Sequence, residues 1–126
     1  MFKALGAVSA LVFGLAIATL APQTATAHHG WNWTTGENIE LTGTIMALRL
    51  GNPHGRVTLM VEGVKWNLEV GQPWRNQRAG LKDGDLAEGV EITVSGEPSA
   101  DPNEKRLKVE RLWIKGVKYE LYPERA

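Results

Sequence analysis

Apolar and polar residues alternate with a period of two in five separate runs, glycine-rich turns part the runs, and a single short helical candidate sits between the third and fourth. This order predicts an all-β fold, a small five-stranded barrel of the oligonucleotide/oligosaccharide-binding (OB) type with one short helix. The first run is long and carries an internal Gly43, which suits a strand shared between the two halves of a curled sheet.

The first strand is expected over residues 39–50, where Ile39, Leu41, Gly43, Ile45 and Ala47 alternate with Glu40, Thr42, Thr44 and Met46. Gly43 marks a bend or bulge there. Gly51, Asn52, Pro53, His54 and Gly55 stack turn formers and end the strand. Two strands follow over 56–61 and 64–70, joined by Glu62-Gly63 as a tight hairpin. Pro73 and Gly80 bracket a short helix over 74–79. A turn through Asp83, Gly84 and Asp85 leads to a fourth strand over 90–96, with Val90, Ile92 and Val94 on one face. After a polar loop the last strand spans 106–114, with Leu107, Val109, Arg111 and Trp113 on one face and the charges between Glu104 and Arg111 on a solvated one. Gly116 then precedes a short extended tail over 117–122.

The barrel is preceded by a different kind of segment. Lys3 is the only charge before an uncharged apolar run of 17 residues over 4–20, and Ala25-Thr26-Ala27 follows. That is the order of a signal peptide, and the run falls short of the roughly 20 residues a membrane helix needs. The expected division is therefore 1–27 signal peptide, 28–38 N-terminal arm and 39–126 barrel, with the mature chain starting at His28. Its 99 residues suit one domain. They carry 14 acidic and 13 basic side chains, a balance that points away from a nucleic-acid partner. Absence of cysteine excludes disulfides, thiolate metal sites and lipid attachment through cysteine, so no stable membrane anchor is expected after cleavage. A short exported chain of this kind points to the bacterial periplasm.

Three histidines are present, His28, His29 and His54. Cleavage before His28 would free an α-amine beside two imidazoles, nitrogen donors that suit copper(II) first, then nickel(II) or zinc(II). His54 lies in the loop after the first strand, within reach of a nine-residue arm over 30–38 that spans up to about 30 Å. The plainer alternative is a solvated N-terminus with His54 capping a turn. Five tryptophans are many for this length. Trp31 and Trp33 are expected to staple the arm to the barrel, Trp66 and Trp113 to pack on strands, and Trp74 to line a groove with Arg75 and Arg78 or to plug one end of the barrel. No nucleophile elbow, phosphate loop or zinc-protease helix occurs, so no catalytic set is expected.

Ala27-His28-His29-Gly30, Leu41-Thr42-Gly43-Thr44, Asn52-Pro53-His54, Trp66-Asn67-Leu68-Glu69, Gly80-Leu81 and Gly84-Asp85 together resemble the bacterial exported proteins of family DUF6152. Leu86-Ala87-Glu88-Gly89 lengthens the family's usual step into the next strand. The resemblance implies a secreted OB-like barrel and carries no activity. The expected function is non-enzymatic binding of a transition metal, copper as the candidate cofactor, through His28, His29 and His54. The alternative is a module holding a small molecule, an envelope glycan or a partner protein at Trp74, Arg75 and Arg78.

Overall fold

The computed structural model describes residues 30–125. Its elements are β1 (Ile39–Arg49), β2 (Arg56–Val61), β3 (Val64–Glu69), α1 (Pro73–Arg78), β4 (Glu91–Pro98), β5 (Arg106–Ile114) and β6 (Val117–Glu120). β1 pairs β4 through its first half, from Ile39↔Gly96 to Thr44↔Glu91, and β2 through its second, from Thr44↔Met60 to Arg49↔Arg56. Parallel pairing of β3 with β5, Asn67↔Arg106 to Glu69↔Lys108, closes the ring β1-β2-β3-β5-β4. Closure leaves no long unpaired edge within the ring, and α1 lies in the β3–β4 connection.

The barrel interior is apolar because the alternation places Ile45, Val57, Leu59, Leu68, Ile92, Val94, Leu107, Val109 and Leu112 on its inner side. The β2–β3 hairpin turns through Glu62 at φ 47° and Gly63 at φ 79°, the double left-handed pair of a type I′ turn. Pro73 starts α1, where its missing N–H costs no helical bond. The Lys82–Asp85 turn is closed by Lys82 N donating to Asp85 Oδ2 at 2.8 Å.

Four expectations need correction. Gly43 is not the bulge: the register slips between Ile45 and Ala47, at Met46. Gly43 is needed because a Cβ there would stand 2.2 Å from the Met60 carbonyl oxygen. The face in β5 is not continuous either. A bulge opposite Ser95 and Gly96 flips the phase, so Leu107, Val109 and Leu112 point inward while Arg111 and Trp113 do not. The tail over 117–122 contains a sixth strand, β6, hydrogen-bonded to β5 from Arg111↔Glu120 to Ile114↔Val117.

The charged face of β5 is not solvated. Lys108 and Glu110, 1% and 2% exposed, lie on the outer side of the barrel beneath the N-terminal arm and the C-terminal turn Pro123–Arg125. Alternation alone reports which side a residue takes and says nothing about what later covers that side.

Candidate functional site

The covered outer face is built by strand register. Glu69 of β3 and Glu97 of β4 both stand opposite Lys108 of β5, and Arg56 of β2 stands opposite Glu69. Their chain neighbours Leu68 and Leu107 fill the core, which turns these charged side chains outward.

Two terminal segments roof this floor. The arm is fixed by backbone bonds, Thr35 N to the Pro98 carbonyl at 3.0 Å and Ala100 N to the Trp33 carbonyl at 2.9 Å. Thr34 Oγ1 donates to Glu97 Oε1 at 2.8 Å. Trp31 packs edge-on against Tyr122, ring centroids 5.1 Å apart. The Arg125 guanidinium stacks 3.9 Å from the Trp31 ring and pairs with Glu97, and Lys108 Nζ lies 5.0 Å from the same ring. Leu121 N and Tyr122 N both donate to the Glu110 carbonyl, at 2.9 and 3.0 Å. Trp31 and Trp33 thus staple the arm as expected, and Arg106 stacks 3.7 Å from the Trp33 ring.

Buried charges under this roof are perturbed. Burial pushes the Lys108 ammonium below the usual lysine range, while the Glu69 charge and hydrogen bond hold it up in part. Burial raises the Glu110 carboxyl against the hydrogen bond from Asn38 and the charges of Arg111 and Arg125. Tyr122 is raised by burial as well.

His54 stands at one edge of the floor. Gly55 N donates to the Gly71 carbonyl at 3.2 Å and Val70 N to the Gly55 carbonyl at 2.9 Å, which fastens this loop beside the end of β3. His54 Nε2 is then 3.4 Å from Glu69 Oε1, which also faces Lys108 Nζ at 3.6 Å. Arg106 Nη2 faces Glu69 Oε2 at 3.4 Å. Nδ1 of His54 is buried and has no hydrogen-bond partner among the described residues.

Burial holds the His54 imidazole below its ordinary pKa; Glu69 opposes this, and Lys108, Arg56 and Arg106 add to it. The folded state therefore takes up this proton less readily than the unfolded chain. Its contribution to stability is complete above about pH 6.5 and declines as pH falls below that value. In metal-free protein the His54 ring signals should titrate by NMR with a midpoint below about 6.5, and lower still in Glu69→Gln. A midpoint above that of a free imidazole would mean that the carboxylate outweighs burial.

His28 and His29 lie outside the described residues. Among the described residues no three histidine, aspartate or glutamate side chains gather as a metal-holding group. Trp74, Arg75 and Arg78 form a stack, with Arg75 4.7 Å and Arg78 5.1 Å from the Trp74 ring. Arg75 is committed further, donating to the Leu121 carbonyl at 3.0 Å and covering Tyr122 at 4.1 Å. The cavity beside α1, about 180 Å³, is lined by Leu50, Pro73, Asn76 and Leu81 and by none of those three. It is smaller than the 300–1,000 Å³ usual for organic ligands.

Sequence reasoning missed Glu69, Lys108 and Glu97. The available signal was the two tryptophans of the arm, whose apolar area needed a partner surface that a filled barrel interior cannot supply.

A closed five-stranded ring with a helix between its third and fourth strands defines the OB-like class. The family model described as "Family of unknown function (DUF6152)" matches residues 16–108, and the chain belongs to that family. No curated protein matches the sequence. Among solved structures, the ZRD-deleted mutant of TiaS in complex with agmatine is similar at a TM-score of 0.50 and 14% identity, over 68% of this chain and 26% of that one. A complex of TiaS with transfer RNA and ATP is similar at a TM-score of 0.48 and 13% identity, over 64% of this chain and 18% of that one. The chain thus spans about a quarter or less of these proteins, and at such identity the likeness is one of fold alone.

Proposed function

We propose that the mature protein is a non-enzymatic periplasmic barrel that binds a divalent transition metal, copper first, through the His28 amine and ring, His29 and His54. The carrying observation is where the arm enters. Gly30 directly follows His29, and a Cβ placed on Gly30 would stand 3.2 Å from Lys108 Nζ. That amine is 3.6 Å from Glu69 Oε1, which is 3.4 Å from His54 Nε2. Three short steps therefore separate the start of the described arm from His54, and one further residue of chain spans about 3.8 Å. Trp31 anchors the arm one residue beyond Gly30.

Export and processing are the first test. Intact mass of protein recovered from the periplasm should correspond to a chain starting at His28. A start at Gly30 or later would remove two ligands and end this assignment. Metal content is then measured on protein with its native N-terminus, because a preceding tag blocks the amine. Copper(II) affinity should drop about ten- to hundred-fold or more in His54→Ala, and bound metal should raise the melting temperature of wild type. Acetylation of the amine and His29→Ala weaken binding in any flexible peptide, so His54 is the decisive position. Unchanged affinity and melting shift in His54→Ala would reduce the N-terminus to a local chelator.

A further inference from the structure

We propose that the pocket at the β1–β2 loop binds the phosphate group of a small phosphomonoester between the guanidinium groups of Arg49 and Arg56. Arg49 ends β1, Arg56 begins β2, and the two stand directly opposite each other in register. Their neighbours Leu48 and Val57 pack on the core, so both arginines take the outer face of the barrel. Side chains so placed have Cβ atoms about 4.5–5.5 Å apart, close enough to grip one small anion, and like charges opposed in this way destabilise a strand pair. The protein supplies no counter-charge. Among the described residues neither arginine forms a salt bridge. Glu69 stands opposite Arg56 on its other side, yet its carboxylate is taken by His54, Arg106 and Lys108.

The loop between the two arginines turns the pair into a pocket. Residues 50–54 wall a space of about 230 Å³ with them, and no acidic side chain lines it. That volume is below the 300–1,000 Å³ usual for drug-sized ligands, which limits the occupant to a small one. Leu50, 47% exposed, gives the wall an apolar part on which a short carbon group can rest. Guanidinium forks bind carboxylate and phosphate oxygens bidentately. Two forks without an acid present two positive charges. A phosphomonoester answers them with about −1.5 to −2 at pH 7, whereas a phosphodiester or a carboxylate brings one negative charge. The site uses no residue before Gly30 and no metal, so it stands or falls apart from the metal-binding assignment.

The experiment titrates methyl phosphate into the processed full chain, with a chelator present and ionic strength held constant at neutral pH. Inorganic phosphate is titrated separately, and dimethyl phosphate and acetate serve as singly charged controls. Methyl phosphate should shift the amide NMR signals over residues 49–56 saturably and raise the melting temperature. Arg49→Gln and Arg56→Gln should each weaken binding about tenfold or more. Arg49→Lys and Arg56→Lys should recover only part of that loss, because an ammonium lacks the fork. Both side chains are exposed, so without phosphate the glutamine variants should melt at or above the wild-type temperature, relieved of the opposed charges. A lower melting temperature would mean that the arginines serve the fold and would overturn the proposal. So would the absence of a saturable shift, equal binding of either control, or unchanged binding in both glutamine variants. Binding of inorganic phosphate without methyl phosphate would overturn the monoester assignment.

Discussion

Gly43→Val should destabilise the protein by about 3 kcal/mol or more, at or beyond the upper end of ordinary overpacking. The added Cβ would stand 2.2 Å from the Met60 carbonyl oxygen, 2.9 Å from its carbon and 3.0 Å from Leu59 Cγ. The first two are backbone atoms of the paired β2 strand, in register with Thr44. They cannot retreat without opening the β1–β2 ladder. Valine is favoured over glycine in strands, but by no more than about 1 kcal/mol, so the clash outweighs the propensity. Gly43→Ala should act in the same direction with a smaller effect. Urea unfolding of both variants is the measurement, and a midpoint equal to that of wild type would mean the strands have room to part.

Trp31→Ala should cost about 3 kcal/mol, the low end for truncating a large buried aromatic. The indole is 8% exposed and covers Tyr122, Lys108 and Arg125. Its loss removes apolar burial and two cation–π contacts. Water admitted over Lys108, Glu97 and Glu110 then rehydrates charges that burial penalises, which offsets part of the loss. Amide exchange at Thr35 and Ala100, whose N–H groups hold the arm to the loop after β4, should quicken more than exchange in the barrel. Trp33→Ala, at a half-buried position, should do less. Uniform exchange through the arm and barrel would mean that the arm is not a separate unit held by Trp31.

The fold was legible because its signals are local. Alternation placed all five barrel strands to within a few residues, Glu62-Gly63 announced a turn only left-handed residues make, and Pro73 with Gly80 bracketed the helix. The two bulges were not legible. A bulge is imposed by the partner strand, and the residues Met46 and Glu110 beside them carry no mark of their own. β6 escaped for the same reason, since four residues ending at Glu120 alternate too briefly to declare a partner.

The candidate site divides along the same line. Sequence alone determined the donor types: three histidines, no cysteine, and an arm rich in tryptophan. It also determined the inner face of each strand as far as its bulge, because side chains take alternate sides until an extra residue shifts the phase. Only the tertiary structure decided which outer face would be covered. Parallel closure of β3 on β5 sets Glu69 opposite Lys108, and the two terminal segments then bury both. That choice depends on contacts between residues as far apart as Trp31 and Tyr122, which no period along the chain encodes. The same closure brings His54, the Glu69 carboxylate and the entry of the arm to one edge of the barrel.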